Sequence, residues 1–196
     1  SLFNIEQSDE FGVLEVGMDK KGEIDYLSKI IEPNVGVITN INYAHAKNFK
    51  NIKQIALAKS EIINNIRPNG FVVLNADDNF FKLHEKIAFK KKIKVISFSI
   101  KNQKANIKLI NIKSFGKKFK INISLDNKNK FFLISENFQN NIYNILSALA
   151  VISIYKNIFT LDQKVFLNFK TPGGRGDLSF IKINNKKINL IDQSYN

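Results

Sequence analysis

Three polar side chains in the first third of the chain have the types and spacing for metal or proton-transfer chemistry. Two of them follow predicted strands: Glu15 lies near the end of the apolar run FGVLEVG, and His45 comes shortly after the β-branched run VGVITN. Ligands of an open parallel sheet sit outside the carboxyl ends of its strands, so both side chains can reach one edge. A carboxylate and an imidazole there suit a divalent cation or a proton-transfer pair. The alternative is a solvated glutamate and a loop histidine.

Lys59, the third of these side chains, falls on an apolar helix face. From Ile52 to Ile66, isoleucine and alanine recur at the spacing of one helical face, and Lys59 stands on the same face. An ammonium group on a buried stripe is costly unless it is paired, neutralised or chemically altered. The alternative is a lysine whose stem is buried while its head reaches water. The neighbouring Glu15 and His45 favour a special chemical role.

Alternating strands and helices must position these side chains. The patterns predict strands at 11–17, 35–40, 70–75 and 93–99, and helices at 22–32, at 52–66 and in the lysine-rich stretch before the last strand. Strand and helix in turn imply parallel strands with right-handed crossovers, which is α/β architecture. We expect Asp77 and Asp78 to cap the helix that they open.

A second pattern begins at about Asn106. The runs NIKLINIK, KFKINISL and KFFLIS alternate apolar and polar residues, which predicts a small antiparallel meander. A buried helix follows from about Phe138 to Tyr155, and the proline- and glycine-rich joint LNFKTPGGRGDL then precedes two strand-like runs. The sequence therefore predicts a mostly parallel sheet flanked by helices, with the meander, in residues 1–168. Residues 169–196 form a hinge and the beginning of a second domain.

Composition narrows the class of protein. The chain has 196 residues, 44% of them hydrophobic, with only 9 glycines and 3 prolines, which is ordinary for a packed globule. It has no cysteine, which excludes a disulfide framework and cysteine-ligated zinc and suits a reducing cytosol. Its longest apolar stretch, NIYNILSALAVISIY, is too short for a bilayer span, and no export leader is visible. We expect a cytoplasmic protein without membrane insertion.

The net charge of +13 raises nucleic acid as a partner, because clustered basic residues neutralise phosphates. Only two of the 30 basic residues are arginine, and the lysines are scattered through the sequence. A solvated basic surface therefore accounts for the charge, and we expect no nucleic acid to bind. A basic nucleic-acid-binding module remains the alternative from a different functional class.

Seven stretches, in this order along the chain, resemble the Mur ligases, the ATP-dependent amide-forming enzymes of peptidoglycan synthesis. They are LEVGMDKKGEI, VGVITNINYAHAKNF, IALAKSEI, VVLNADDNFF, NNIYNILSALA, GGRGDL and LIDQSYN. The GM…GEI form after Glu15 resembles the branch that joins D-alanyl-D-alanine to UDP-N-acetylmuramoyl-tripeptide through an acyl phosphate. The alternative within the family is a ligase for another amino acid.

For the metal site, the resemblance implies Glu15 and His45 as Mg²⁺ ligands. It matches Lys59 to a lysine that reacts with carbon dioxide to give a carbamate, which is an anionic ligand for a second Mg²⁺. A carbamate would explain a lysine on an apolar stripe.

For the ATP site, the resemblance implies Asn141 and Asn144 beside the adenine and Arg175 at the phosphates. Their alternatives are helix capping for the asparagines and a linker charge for the arginine. Gln193 stands where the family has an acidic residue, which leaves Asp192 as a substitute for the ribose contact.

The resemblance also implies a domain organisation. Residues 1–168 match the central ATP-binding domain, and residues 169–196 match the hinge and the start of a C-terminal Rossmann-like domain. The family's G-x-x-x-x-G-K-[ST] phosphate loop lies upstream of the matched region and does not occur in this sequence. We therefore expect a monomeric enzyme of which this chain is a fragment, cut at both ends and inactive alone.

Overall fold

The computed structural model describes residues 6–43, 48–116, 118–135, 141–169, 177–183 and 186–192. The helices are α1 (Glu23–Ile31), α2 (Ile52–Lys59), α3 (Phe81–Lys90) and α4 (Ile142–Tyr155), with 3₁₀ helices at Ser60–Asn65 and Ile158–Thr160. The strands are β1 (Val35–Ile38), β2 (Phe71–Asn75), β3 (Lys94–Ser99), β4 (Ile107–Phe115), β5 (Lys118–Leu125), β6 (Lys128–Ser135), β7 (Asp177–Ile183) and β8 (Lys186–Asp192).

Six strands form one mixed sheet, which confirms the predicted α/β class. Their order is β1-β2-β3-β4-β5-β6. Strands β1 to β4 run parallel, whereas β4, β5 and β6 pair antiparallel as the predicted meander. Parallel strands carry crossover connections, and these place the helices on the faces of the sheet.

Alternating side chains of β2, the second strand of the sheet, pack into two apolar cores. Val72 and Leu74 pack in one core with residues of α1, α2 and α3, whereas Val73 packs in the other core with α4. Successive side chains of a strand point to opposite faces, so α4 covers one face and the other three helices cover the opposite one. In α4, Ile145 and Leu149 are almost fully buried, as the apolar sequence predicts.

The helix predicted from Ile52 to Ile66 is instead two elements. The α-helical part ends at Lys59, and a 3₁₀ helix continues from Ser60 to Asn65. The Ser60 hydroxyl donates to the carbonyl of Leu57 at 2.7 Å. Such back-bonding competes with regular helical bonds and bends helices, which explains the break at this residue.

The strand predicted at 11–17 was wrong. These residues form no strand, and no described strand pairs with them. Phe11 and Val13 are largely exposed, although the Phe11 ring packs edge-on against Tyr155 with 5.2 Å between centroids. An apolar run becomes a strand only where it pairs with a neighbouring backbone, and in the described structure residues 11–17 make no such pairing.

The last two described strands, β7 and β8, form a separate antiparallel pair with Asp177 opposite Asp192. This agrees with the two predicted strand-like runs. Their assignment to a second domain stays a prediction. Among the described helices, none has the length and apolar character needed to cross a membrane.

The turn that leads into β2 makes a stability prediction. A methyl group on Gly70 would lie 2.6 Å from the carbonyl oxygen of Asn34 and 2.8 Å from that of Arg67. Backbone atoms cannot move aside cheaply, so Gly70→Ala should lower the free energy of unfolding by about 1–3 kcal/mol. Gly17→Ala is the control, because no described atom lies within 4 Å of the added carbon. Equal denaturant midpoints for both variants would contradict this packing.

Candidate active site

The carboxyl ends of β1, β2 and β3 meet at one edge of the sheet, and Asn75 joins the loops that follow two of them. Asn75 ends β2 and is nearly buried. Its amide nitrogen donates to the carbonyl of Thr39 at 3.1 Å, and its amide oxygen accepts from the backbone N–H of Asp77 at 2.9 Å. Both ends of this buried amide are satisfied, so the loop after β1 is fixed against the turn after β2.

Lys59 reaches this edge from the end of α2. Its ammonium donates to the carbonyl of Asn40, two residues after β1, at 3.1 Å. Burial lowers the pKa of Lys59 below its ordinary value, and attraction to the Asp78 carboxylate opposes that shift in part. Within the part of the chain that the structure describes, the half-buried side chain is thus neither a plain surface lysine nor part of an ion pair. Lys59 therefore loses its proton to give the neutral amine more readily than an exposed lysine does.

Asp78 connects the same loop to the start of α3. One carboxylate oxygen accepts from the backbone N–H of Ile41 at 2.8 Å, and the other accepts from that of Phe80 at 2.8 Å. The second bond forms an Asx turn just before α3, close to the predicted capping role. The first bond was not predicted, and it holds the peptide unit whose carbonyl Lys59 contacts.

Asp77 caps no helix, contrary to the sequence-based expectation. Its carboxylate accepts hydrogen bonds from the loop after β3 and from the first turn of α4. The donors are Ser99 Oγ (2.6 Å), Ile100 N (2.7 Å), Lys101 N (3.1 Å), Asn102 N (3.1 Å) and the Tyr143 hydroxyl (3.1 Å). Burial opposes ionisation of Asp77, but these donors outweigh it and hold its pKa below the ordinary value.

Glu15 is exposed, and the turn after it is tied to the Lys59 segment. Gly22 adopts a left-handed conformation at the start of α1, with φ of 91°. Its N–H donates to both carboxylate oxygens of Glu61 at 3.0 Å, and the N–H of Asp25 donates to one of them at 3.2 Å. Glu61 thus caps α1 from a neighbouring helix, which sequence reasoning missed because the two partners are far apart in the chain.

The predicted adenine-side pair lies together at the start of α4. The Asn144 amide nitrogen donates to the Asn141 amide oxygen at 3.0 Å. Asn141 makes no side-chain cap, although it occupies the N-cap position. Within the described residues, the bond leaves the amide oxygen of Asn144 and the amide nitrogen of Asn141 available to a ligand. Tyr143, between them, is the residue that Asp77 holds.

Of the other predicted site residues, only Asp192 lies among the described residues. His45 and Arg175 lie outside the described residues, and Asp192 ends β8 opposite Asp177. Among the described residues, no three histidine, aspartate or glutamate side chains gather as a metal site. The predicted ligand set of Glu15, His45 and Lys59 therefore stays a prediction.

His84 is a buried polar residue of this region that sequence reasoning missed. It lies on α3, is only 2% exposed, and its Nε2 donates to the carbonyl of Ala56 in α2 at 3.0 Å. Burial lowers its pKa below the ordinary value. Its spacing of four residues from Phe80 and from the buried Ala88 was the available signal.

A shallow groove of about 220 Å³ lies elsewhere, lined by Lys29, Glu32, Asn65, Ile66, Arg67 and Pro68. These residues precede β1 and β2, so the groove is at the amino ends of the strands. The chemistry-bearing side chains described above lie at the carboxyl ends instead, where ligands of open parallel sheets bind.

Comparison with known proteins relates the chain to one protein family. Residues 1–152 match the family model for the Mur ligase middle domain. The UDP-N-acetylmuramoyl-tripeptide--D-alanyl-D-alanine ligase of Buchnera aphidicola subsp. Acyrthosiphon pisum is 35% identical over 209 aligned residues, with 100% of this chain and 42% of the relative covered. The protein of the same name from Buchnera aphidicola subsp. Baizongia pistaciae is 32% identical, with 100% and 41% covered.

Solved structures agree with the fold. A crystal structure of MurF from Acinetobacter baumannii superposes with a TM-score of 0.82 at 25% identity, covering 100% of this chain and 41% of that one. MurF ligase from Thermotoga maritima in complex with ADP gives 0.73 at 21% identity, covering 93% and 40%, and supports the fold alone. The chain thus spans about two fifths of the length of the relatives it matches.

The buried His84 makes a pH prediction. Its pKa is lowered in the folded state, so the unfolded chain binds more protons below about pH 6.5, and stability falls as pH drops through that value. His84→Gln keeps an N–H that can reach Ala56 and removes this titration. Denaturant unfolding at pH 7.5 and pH 5 should show a smaller loss of stability for the variant. A pH dependence identical to the wild type would rule out a buried neutral His84.

Proposed function

Because the chain belongs to the Mur ligase middle-domain family, we propose that its full-length protein joins D-alanyl-D-alanine to UDP-N-acetylmuramoyl-tripeptide at the expense of ATP. The observation that carries this proposal is the half-buried Lys59 of lowered pKa at the carboxyl edge of the sheet. We assign to Lys59 the role of the modified lysine that the resemblance to such ligases implies. The similarity to ligases of that name over the whole chain supports the same substrates.

Carbamylation of Lys59 is part of the proposal. The neutral amine attacks carbon dioxide and releases one proton, which leaves an anionic carbamate on the side chain. A lowered pKa supports this step because more of the amine is free to react. The carbamate nitrogen keeps one hydrogen, which can still donate to the carbonyl of Asn40. The modification would thus retain the contact that the unmodified side chain makes.

The donor set fits magnesium after this modification and not before it. Mg²⁺ prefers oxygen ligands, which the Glu15 carboxylate and a carbamate supply, and an ammonium group repels it. Glu15, the Lys59 carbamate and His45 would hold Mg²⁺ ions, with the Asp78 carboxylate adding negative charge beside Lys59. Bound magnesium offsets the charge that develops on phosphate oxygens during phosphoryl transfer.

The start of α4 supplies the proposed adenine contacts. Asn144 offers an amide oxygen and Asn141 an amide nitrogen, an acceptor and a donor side by side. This pattern complements an exocyclic amine next to a ring nitrogen, which is the edge that adenine presents. Arg175 would approach the ATP phosphates and Asp192 the ribose.

The domain assignment follows from the same proposal. Residues 1–168 act as the central ATP-binding domain, and residues 169–196 act as the hinge and the start of a C-terminal domain. Other regions of the full-length protein then bind the UDP-sugar and the incoming dipeptide. A monomeric, cytoplasmic enzyme is the proposed form. The nucleic-acid-binding alternative has no support in the comparisons.

The deciding experiment offers the full-length protein ATP, Mg²⁺, UDP-N-acetylmuramoyl-tripeptide and a panel of amino acids and dipeptides. We expect phosphate release that depends on D-alanyl-D-alanine, with the pentapeptide as product. Preference for a single amino acid would overturn the proposed substrate in favour of another Mur-type ligase.

Lys59→Ala tests the carbamate. Alanine is a good helix former and suits the buried side of α2, so the thermal midpoint should change little. Turnover should fall by about a hundredfold or more, since an anionic metal ligand is lost. Formate or acetate should restore part of the rate in the variant and leave the wild type unchanged. Lys53→Ala, an exposed position on the same helix, is the control. Full activity of Lys59→Ala would disprove the metal-ligand role.

Asn144→Ala tests the adenine contact. An adenine contact is felt about equally in the ground and transition states, so the KM for ATP should rise about tenfold with little change in kcat. Asn129→Ala, an exposed asparagine on β6, should leave both constants unchanged. A fall in kcat at constant KM would argue against an adenine role for Asn144.

A further inference from the structure

Two adjacent carboxylates after β2 hold different parts of the carboxyl edge. The bonds of Asp77 go to the loop after β3 and to Tyr143 of α4. Both bonds of Asp78 go to backbone N–H groups, one at Ile41 after β1 and one at Phe80 before α3. Within the described chain, the two carboxylates have no hydrogen-bond partner in common.

One of the hydrogen bonds that Asp77 accepts comes from a residue beside the proposed adenine contacts. Tyr143 lies between Asn141 and Asn144 in the first turn of α4, and that turn has no side-chain cap of its own. The Tyr143 hydroxyl, held at 3.1 Å by Asp77, therefore ties this turn to the sheet. Burial and the Asp77 carboxylate both raise the pKa of Tyr143, so the hydroxyl remains a donor at neutral pH.

The Asp78 bonds end beside Lys59. Asp78 fixes the N–H of Ile41, which belongs to the same peptide unit as the carbonyl of Asn40. That carbonyl is the acceptor of the Lys59 side chain. A peptide unit is planar, so the direction of its N–H sets the direction of its C=O. Asp78 thereby sets where Lys59 finds its acceptor.

We infer that Asp77 and Asp78 are positioning residues with separate tasks: Asp77 positions the nucleoside contacts of α4, and Asp78 positions Lys59 for the metal-bound phosphates. This inference rests on the proposed function, because both tasks concern a bound nucleotide. Neither residue needs to touch the nucleotide, since each acts through backbone or through Tyr143. Two carboxylates adjacent in sequence would thus control opposite ends of one ligand.

Asparagine variants separate the two tasks with little change in shape. In Asp77→Asn, an NH₂ group replaces an oxygen that accepts hydrogen bonds, so part of the network to α4 and the β3 loop is lost. In Asp78→Asn, the local Asx turn keeps its oxygen on Phe80, and the NH₂ group then faces the N–H of Ile41. Tyr143→Phe removes only the α4 contact. Asp162→Asn is the matched control, because Asp162 also forms an Asx turn, near β6.

The experiment measures the dissociation constant of ADP for the full-length protein, once with Mg²⁺ and once with EDTA. Asp77→Asn and Tyr143→Phe should weaken ADP about tenfold in both conditions, the size expected for loss of a bond to a charged group. Asp78→Asn should keep the EDTA value and lose the added affinity that Mg²⁺ gives the wild type. In ligation assays, the first two variants should raise the KM for ATP, and Asp78→Asn should lower kcat.

Several results would overturn the inference. One is that Asp77→Asn and Asp78→Asn change ADP binding in the same way with and without Mg²⁺. Another is that the variants lower the thermal midpoint but leave ADP binding unchanged, which would mean a purely structural role. Failure of the wild type to bind ADP would overturn both this inference and the proposed function. Loss of the proposed function alone has a different signature: no ligation by the wild type, with ADP affinities that still divide as expected.

Discussion

At the carboxyl edge of the sheet, backbone N–H groups of the loops need hydrogen-bond acceptors. The structure of this edge depends on the side chains that supply them. Three successive N–H groups after β3 point at Asp77, and one after β1 points at Asp78. Hydrogen bonds to a charged acceptor contribute about 1.5–3 kcal/mol each, whereas an unpaired buried donor costs a similar amount. Two short side chains on one turn therefore hold the loops after two different strands. Without them, each loop would need its own side-chain acceptors.

This arrangement sets the electrostatics of the edge as well as its shape. The Asp77 carboxylate is hydrogen-bonded by several donors, and together with burial it raises the pKa of Tyr143 on α4. Among the described residues, the Asp78 carboxylate accepts hydrogen bonds from two backbone N–H groups, and its charge attracts the Lys59 ammonium. Burial and attraction act on Lys59 in opposite directions, and burial is the stronger of the two. The result is a lysine that remains a base but gives up its proton more readily than an exposed one.

Much of the fold follows from periodicity in the sequence. The parallel strands, the meander and α4 were predicted because their apolar residues recur at the period of one element. The strand predicted at 11–17 failed because an apolar run does not show whether a neighbouring strand is present. For the candidate site, Lys59 was singled out in the sequence because a cation interrupts an apolar stripe. The bonds of Asp77 and Glu61 could not be predicted, since their partners are distant in sequence and no local pattern connects them.

The change from α2 to a 3₁₀ helix at Ser60 has a consequence for side-chain direction. An α-helix turns about 100° per residue, whereas a 3₁₀ helix turns about 120°. Of the two steps from Lys59 to Glu61, the one from Ser60 lies within the 3₁₀ helix, and its tighter winding adds about 20° of rotation about the helix axis. Glu61 can then face α1 while Lys59 faces the loop after β1. In a uniformly wound α-helix, the direction of Glu61 relative to Lys59 would differ from the observed one by about 20°.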